Sequence, residues 1–251
     1  MKLRGTFFLV ALAMLVAGCN SGGEQASTDP GGKPSGKRYK IAVIPKGSTH
    51  EFWKSVHAGA MDADKEMDDV EIVWKGPQKE DNLDDQIKVV EDFATQGVDG
   101  IVLAPLDQTA MKAPVVNAQN SNVPVLIIDS DLKDTETVSF VATDNYKGGQ
   151  SAGEKMIELL GGKGKIVVLR YMEGSASTMN REQGFLDAIK KAPGIEVVSS
   201  NQHAGATTET AQSASENLLQ RYRNLDGTLA LAGIYTPNES STFGMLRVLQ
   251  D

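Results

Sequence analysis

The chain has 251 residues, of which 25 are Lys or Arg, 33 are Asp or Glu and 40% are hydrophobic. This composition is ordinary for a folded globular protein and too apolar for a disordered one. The formal net charge of −8 argues against a nucleic-acid partner, because phosphate binding needs clustered Lys and Arg. The one cysteine excludes an internal disulfide framework and a cysteine-rich metal site.

The first 18 residues have the pattern of an export signal. Lys2 and Arg4 precede an apolar run, residues 6–17, that is too short to cross a bilayer comfortably. The sequence Leu-Val-Ala-Gly-Cys, which ends at Cys19, resembles the lipobox of bacterial lipoproteins, in which the cysteine is acylated. We therefore predict a signal peptide over residues 1–18, lipidation of Cys19, and a periplasmic or cell-envelope location with a membrane anchor. The alternative is a secretory signal with a chance cysteine.

Residues 19–38 are predicted to form the lipidated cysteine and a flexible tether. Gly, Ser, Pro and small polar residues dominate this stretch, which cannot bury enough apolar area to offset the entropy of ordering it. Its segment 31–37 approximates a phosphate-binding loop. However, Arg38 stands where Ser or Thr is needed, and the segment precedes a predicted strand instead of following one. Nucleotide binding is therefore not expected.

From Tyr39 onward, short runs rich in Val and Ile alternate with longer amphipathic stretches. The predicted strands are Lys40–Ile44, Glu71–Trp74, Gly100–Ala104, Val123–Ile128, Ser139–Ala142, Lys165–Leu169, Ile195–Ser199 and Thr228–Ala232. The predicted helices are Phe52–Met67, Asn82–Gln96, Ala110–Asn120, Lys147–Leu160, Asn180–Lys191, Thr207–Tyr222 and Glu239–Leu249. This alternation predicts an α/β fold with parallel sheets covered by helices on both faces.

The strand-helix pattern starts twice, once at Tyr39 and again after the strand at 139–142. We therefore predict an N-terminal lobe over residues 39–142 and a C-terminal lobe over residues 143–251. In such sheets, ligands bind at the carboxyl ends of the strands. The segments that follow the predicted strands are rich in polar and aromatic residues, which suits a ligand that bears hydroxyl groups.

Enzyme and metal motifs are incomplete in this sequence. Gly149–Gly153 fits the Gly-x-Ser-x-Gly nucleophile elbow around Ser151, but no strand directly precedes it, so close helix packing explains the small residues better. The three histidines lack metal-ligand spacing, and Asp129-Ser130-Asp131 lacks the further carboxylates of a calcium loop. We expect no catalytic residue, metal or cofactor. A secreted hydrolase that uses Ser151 stays open as an alternative.

Several motifs between residues 39 and 251 together resemble a known family. They are Thr49-His50-Glu51-Phe52-Trp53, Ile127-Ile128-Asp129-Ser130, Asp144-Asn145, Arg181-Glu182-Gln183-Gly184-Phe185 and Asn238. At these places the chain is similar to the type 1 periplasmic sugar-binding proteins, in particular to their ribose-binding branch. The resemblance implies two Rossmann-like lobes with parallel sheets and a ligand held between them.

The resemblance also implies roles for individual residues. The expected ligand-binding residues are Lys46, His50, Phe52, Trp53, Asp129, Arg181 and Asn238. Phe52 and Trp53 match the aromatic pair that sandwiches the sugar ring, and Arg181 matches the residue that clamps hydroxyl groups. The lobes would hinge at Thr143, Asp144 and Asn145. The expected function is to capture a sugar and deliver it to an ABC transporter permease; the alternative is to feed a chemoreceptor or sensor kinase.

Two departures from the ribose-binding pattern stand out. Lys46 and the Asp129-Ser130-Asp131 segment look more like the autoinducer-2 and rhamnose branch, but that branch carries Asp where this chain has Arg181. In addition, family members continue through further strand-helix units. The resemblance therefore implies a truncated chain whose C-terminal lobe is incomplete, with an unfinished sheet edge and exposed apolar helix faces.

Overall fold

A computed structural model describes residues 38–250 of the chain. The predicted signal peptide, the predicted lipidation site Cys19 and all but the last residue of the predicted tether lie outside the described residues. The strands are β1 Tyr39–Ile44, β2 Val70–Trp74, β3 Gly100–Leu103, β4 Val125–Ile128, β5 Phe140–Val141, β6 Lys163–Arg170, β7 Gly194–His203 and β8 Gly233–Tyr235. The helices are α1 Glu51–Glu66, α2 Leu83–Gln96, α3 Lys112–Asn120, α4 Asn145–Leu160, α5 Ala176–Ile189, α6 Thr208–Gln220 and α7 Glu239–Gln250.

The elements form two parallel sheets, as the alternating pattern predicts. The first sheet has the strand order β2-β1-β3-β4-β5, and with α1–α3 it makes what we call the N-terminal lobe. The second sheet has the order β7-β6-β8, and with α4–α7 it makes the C-terminal lobe. Every ladder pairs parallel strands, so the carboxyl ends of the strands in each sheet lie at one edge. The predicted fold class is confirmed.

The central strand of the C-terminal lobe shows why helices cover both faces of its sheet. Side chains alternate across a strand, and all four residues of the run 166–169 are fully buried. Ile166 and Val168 pack in a core with α5, whereas Val167 and Leu169 pack in a second core with α6 and α7. A strand that is buried on both faces has a continuous run of apolar residues in its sequence, and such a run is the basis for predicting this strand.

Each predicted element except one strand overlaps an element of the structure, although α5 begins at Ala176 instead of Asn180 and β7 ends at His203 instead of Ser199. Helices α2, α3 and α4 end at the predicted residues, and Gly97, Asn122 and Gly161 follow them with positive φ values of 66°, 61° and 58°. The predicted strand Thr228–Ala232 is wrong. Leu229 forms an isolated antiparallel bridge with Arg223, and the amide of Ala232 donates to the carbonyl of Lys165 at 2.7 Å. The strand that forms a ladder with β6 is Gly233–Tyr235.

The glycines around Ser151 serve helix packing. A Cβ atom at Gly149 would lie 2.0 Å from the carbonyl oxygen of Arg181 on α5, and one at Gly153 would lie 2.6 Å from Cβ of Ala188. Ser151 itself lies on the exposed face of α4, within the helix. The strand-to-turn geometry of a nucleophile elbow is absent there, so the hydrolase alternative built on Ser151 is wrong.

Some apolar surface of the C-terminal lobe is exposed. Phe243, Leu246 and Leu249 follow one another along α7 and are 52%, 44% and 43% exposed. Strand β8 pairs with β6 on one side and with no strand of the described residues on the other. Within residues 38–250, no helix combines the length and the apolar character needed to cross a bilayer.

Candidate functional site

A cavity of about 220 Å³ lies where the loops of the two lobes meet. This volume is below the roughly 300–1,000 Å³ of pockets that hold drug-sized molecules, so it suits a small polar ligand. All seven residues expected to bind ligand line it: Lys46, His50, Phe52, Trp53, Asp129, Arg181 and Asn238. The structure adds six further lining residues: Glu80, Tyr171, Ser175, Ser177, Thr178 and Glu239.

Lys46 follows β1 and is the most connected cation of the cavity. Its side chain is 3% exposed, and its ammonium lies 3.0 Å from Oδ2 of Asp129. The ammonium also donates to Ser130 in the same lobe at 2.6 Å, and to Ser175 and Ser177 of the C-terminal lobe, each at 3.2 Å. A buried ammonium needs a counter-charge and hydrogen-bond acceptors, and this site supplies both. Lys46 therefore joins the two lobes at the base of the cavity.

The backbone at Asp129 is strained. This residue has a φ of 62°, and the amide of Ser130 donates to the carbonyl of Ile128 at 2.6 Å, which closes a three-residue turn around Asp129. A non-glycine residue in this region is unfavourable by about 1–3 kcal/mol and persists where the surroundings hold it. Here the turn directs the Asp129 carboxylate toward Lys46.

Glu80 accepts hydrogen bonds from three cavity residues. Its carboxylate accepts from Nε1 of Trp53 at 2.6 Å and from the hydroxyl of Tyr171 at 2.6 Å, and it lies 2.9 Å from Nδ1 of His50. Burial alone would raise the pKa of Glu80. The hydrogen bonds from His50 and Tyr171 and the nearby charge of Lys46 outweigh burial, so this pKa is lowered. Glu80 therefore carries a negative charge at neutral pH although it is buried.

The same contacts act on the donors to Glu80. The hydrogen bond to Glu80 is the main cause that raises the pKa of His50 above its usual 6.5, against an opposing effect of burial. Burial, followed by the charge of Glu80, raises the pKa of Tyr171, so its hydroxyl stays protonated and donates. Tyr171 belongs to the C-terminal lobe and Glu80 to the N-terminal lobe. This hydrogen bond is thus a second buried contact between the lobes.

The two aromatic residues at the start of α1 differ in exposure. Trp53 is 2% exposed, whereas Phe52 is 46% exposed. Their rings contact each other edge to face, with centroids 4.9 Å apart and an interplanar angle of 78°. The two rings contact each other in this arrangement, and the expected packing of this aromatic pair on a sugar ring stays a prediction. The exposed surface of Phe52 stays available to pack on an apolar ligand face.

Arg181 lies on α5 and reaches the cavity from the C-terminal lobe. Its Nε donates to Oδ1 of Asn145 at 2.7 Å, and Nη1 donates to the carbonyl of Pro237 at 3.0 Å. No carboxylate of residues 38–250 forms an ion pair with this guanidinium, which keeps further donors for a ligand. Asn145 also donates to the carbonyl of Asp129 at 3.4 Å. It thus contacts a cavity residue from each lobe.

Other predicted residues have capping roles. The side chain of Asp144 accepts from the amide of Lys147 at 3.0 Å and caps α4, directly after Thr143. The side chain of Asn238 accepts from the amide and hydroxyl of Ser241 and so caps α7.

Trp74 lies away from the cavity and stacks on His57, with ring centroids 4.6 Å apart.

Three helices begin at the cavity, namely α1, α5 and α7. Each contributes the partial positive charge of its N-terminus. The carboxylate of Glu239, the first residue of α7, accepts from the amides of Glu51 and Phe52 on α1, each at 3.0 Å. Within residues 38–250, no group of three or more His, Cys, Asp and Glu side chains is placed to hold a metal ion. The lining of the described site consists of charged, hydrogen-bonding and aromatic side chains.

Sequence reasoning missed Glu80 and Glu239 as cavity residues. Glu80 lies in the loop after β2, and Glu239 directly follows the predicted ligand residue Asn238. Both positions come after strands, so the rule that sites lie at the carboxyl ends of parallel strands could have found them. The same rule covers the segment 171–181, which follows the predicted strand Lys165–Leu169 and holds Tyr171, Ser175, Ser177 and Thr178.

Comparisons with known proteins agree with this architecture. The family model of the periplasmic binding protein domain matches residues 41–251. The chain is 26% identical over 204 residues to the galactofuranose-binding protein YtfQ of Escherichia coli K12, a match that covers 79% of this chain and 62% of that protein. It is 26% identical over 210 residues to the ribose import binding protein RbsB of the same organism, with 84% and 67% covered.

A solved structure gives the same result. The solute-binding protein of an ABC transporter from Agrobacterium vitis with bound D-fucose is 34% identical, with a TM-score of 0.77 over 84% of this chain and 71% of that chain. The chain spans about 62% of the length of YtfQ and 64% of a xylitol-binding protein from Mycolicibacterium smegmatis. Because the family model covers nearly all of the described residues, the chain belongs to the periplasmic binding protein domain family.

Proposed function

We propose that this protein captures a sugar or sugar-like small molecule between its two lobes and delivers it to the permease of an ABC transporter. The observation that carries the proposal is the cavity itself, in which Lys46, His50 and Asp129 of one lobe face Arg181 and Asn238 of the other. A ligand held by both lobes favours the closed arrangement, because it binds that state better than the open one.

The chemistry of the cavity suits hydroxyl groups. A sugar hydroxyl both donates and accepts, so a planar guanidinium or carboxylate can engage two neighbouring hydroxyls at once. The exposed ring of Phe52 offers an apolar surface for the C–H face of a sugar. Buried polar groups of this kind would lose their partners if an analogue lacked a hydroxyl, so the site would discriminate among similar molecules.

Relatives support this proposal. They include proteins named for galactofuranose, ribose and xylitol, and a structure with bound D-fucose. By analogy with the family, the protein works outside the cytoplasm. Acylation of Cys19 would keep it at the membrane next to the permease, and the segment 143–145 would bend as the lobes open and close. The permease would recognise the closed, loaded form.

Isothermal titration calorimetry tests the proposal directly. The purified protein is titrated with D-ribose, D-fucose, D-galactose, D-xylose, L-rhamnose and xylitol. We expect saturable binding of at least one of these molecules, and loss of that binding in Lys46→Met. The exposed Lys65, which pairs with Asp62 on the surface of α1, provides the control Lys65→Met. Absence of binding by folded protein to every molecule of the panel would contradict the proposal.

A further inference from the structure

One side chain crosses the cleft and bonds to the backbone on the other side. Glu239 is the first residue of α7, in the C-terminal lobe, and its two carboxylate oxygens accept from the amides of Glu51 and Phe52. These amides belong to the first two residues of α1, in the N-terminal lobe. Both distances are 3.0 Å, so the contact consists of two charge-assisted hydrogen bonds.

Helix α1 obtains its side-chain cap from this contact. The first amides of a helix lack partners within the helix, and a side chain at the N-cap position usually supplies one. His50 occupies that position in α1, and its side chain makes no such hydrogen bond within the part of the chain that the structure describes. The Glu239 carboxylate takes its place, and its charge also interacts favourably with the positive end of the helix. Because the cap comes from the other lobe, α1 loses it whenever the lobes separate.

The position of the contact ties it to access to the cavity. Glu239 and Phe52 both line the cavity, and Phe52 is 46% exposed, so the contact lies at the solvent-facing edge of the site. Separating α1 from α7 breaks both hydrogen bonds and opens the cavity at this edge. The deeper contacts between the lobes, from Lys46 and Tyr171, are buried.

We propose that Glu239 is a latch that holds the two lobes closed in the absence of ligand and so slows the release of a captured solute. The significance of this latch rests on the proposed binding function, but its existence does not. A capping side chain typically shifts an equilibrium by a factor of about five, and a charged one at a helix terminus adds to this. Loss of the latch should lower the ratio of closed to open molecules about fivefold to tenfold.

The test measures closure without ligand, so it is independent of which solute the protein binds. Cys19 is the only cysteine of the sequence, so Cys19→Ser in the full chain leaves two introduced cysteines as the only sites to which spin labels attach. Glu91→Cys on α2 and Glu216→Cys on α6 place labels at exposed residues, one on each lobe. Pulsed electron double resonance then gives the distance distribution and hence the closed fraction.

Three variants separate a latch from a local effect on α7. Glu239→Ala removes the carboxylate. Glu239→Asp keeps a negative charge in the first turn of α7 but is one methylene shorter, so it no longer reaches both amides. Glu51→Ala is the control. It removes an acidic side chain from the first turn of α1, and this side chain pairs with Lys54 of the same helix instead of reaching the other lobe.

If Glu239 is a latch, both Glu239 variants have a lower closed fraction than the unsubstituted protein, and Glu51→Ala has the same closed fraction as the unsubstituted protein. If Glu239→Asp matches the unsubstituted protein, the residue acts only on α7 and the proposal fails. The proposal is also overturned if the unsubstituted protein shows no closed fraction without ligand. It is overturned as well if all variants give the same distribution of label-to-label distances. Failure of sugar binding in the calorimetric panel would leave this result intact, so the two proposals are tested separately.

Discussion

Tyr171 donates its hydroxyl hydrogen to Oε2 of Glu80 at 2.6 Å, and so joins the two lobes beneath the cavity. Tyr171 is 1% exposed and Glu80 is 7% exposed, so the hydrogen bond is shielded from water. The other oxygen of Glu80 accepts from Trp53 and His50. A buried carboxylate with this many donors is a rigid part of the site, and its loss has measurable consequences.

The first prediction concerns that hydrogen bond. Tyr171→Phe removes the donor and leaves a buried carboxylate oxygen without its partner, which costs about 1–3 kcal/mol. We expect the free energy of unfolding in urea to fall by this amount. Tyr146→Phe is the matched control, because the hydroxyl of Tyr146 donates to Asp187 at 3.0 Å on the exposed surface. Its effect should stay within about 0.5 kcal/mol. Equal effects of the two substitutions would contradict the account.

The second prediction concerns pH. The pKa of His50 is raised above 6.5, so its stabilising contribution is complete below about pH 6.5 and is lost as pH rises through the raised value. The pKa of Glu80 is lowered below 4.5, so its contribution is present above about pH 4.5 and is lost as pH falls through the lowered value. The pair should therefore stabilise the protein most between about pH 4.5 and 6.5.

Urea unfolding across this range checks the sign. The difference in unfolding free energy between the unsubstituted protein and His50→Gln should be largest near pH 5.5–6 and should shrink toward pH 9. His57→Gln is the control, since His57 stacks on Trp74 outside the cavity. Parallel pH profiles for the protein and His50→Gln would show that the pairing with Glu80 does not stabilise the fold.

The third prediction compares two neighbouring glycines of α4. Gly149→Ala should destabilise the protein by about 1–3 kcal/mol, because its Cβ would lie 2.0 Å from the carbonyl of Arg181 and push α4 and α5 apart. A Cβ atom at Gly148 would meet no atom of residues 38–250 within 4 Å, so Gly148→Ala should stabilise α4 by up to about 1 kcal/mol. Chemical denaturation measures both values. Similar values for the two would mean that α4 and α5 are not packed this closely.

The fourth prediction concerns Arg181. Removing a charged hydrogen-bond donor costs about 1.5–3 kcal/mol, so Arg181→Ala should weaken ligand binding about 10- to 150-fold. Calorimetry with whichever sugar of the panel binds gives the affinity, and circular dichroism checks that the variant is folded. Arg247→Ala, on the exposed side of α7, is the control. Equal affinity of a folded Arg181→Ala variant would remove Arg181 from the site.

The sequence predicted the fold well because its strongest signals are local. Apolar strands, helix exits such as Gly97 and Gly161, and the alternation of element types all follow from short-range patterns. The strand error at 228–232 has a long-range cause. Leu229 and Leu231 make the segment apolar because they pack on the core that contains α6 and α7. The ladder with β6 starts only after this segment, at Gly233, which lies opposite Ile166.

The site was predicted less completely than the fold. The seven residues expected to bind ligand all line one cavity, yet Glu80 and Glu239 carry contacts that no local pattern encodes. Glu80 meets Tyr171, which is 91 positions further along the chain, and Glu239 meets the amide of Phe52, which is 187 positions earlier. The arrangement of Phe52 and Trp53 likewise depends on where Glu80 holds the indole. The contacts of Glu80 with Tyr171 and of Glu239 with Phe52 depend on how the lobes meet.

Intrinsic fluorescence tests the central claim, that this cavity binds a sugar, most directly. The chain has two tryptophans, Trp53 in the cavity and Trp74 outside it. In Trp74→Phe only Trp53 emits, and we predict a saturable fluorescence change on titration with a sugar of the panel. In Trp53→Phe the same titration should change the emission little. A saturable change that survives in Trp53→Phe and is absent from Trp74→Phe would place binding elsewhere and contradict the account.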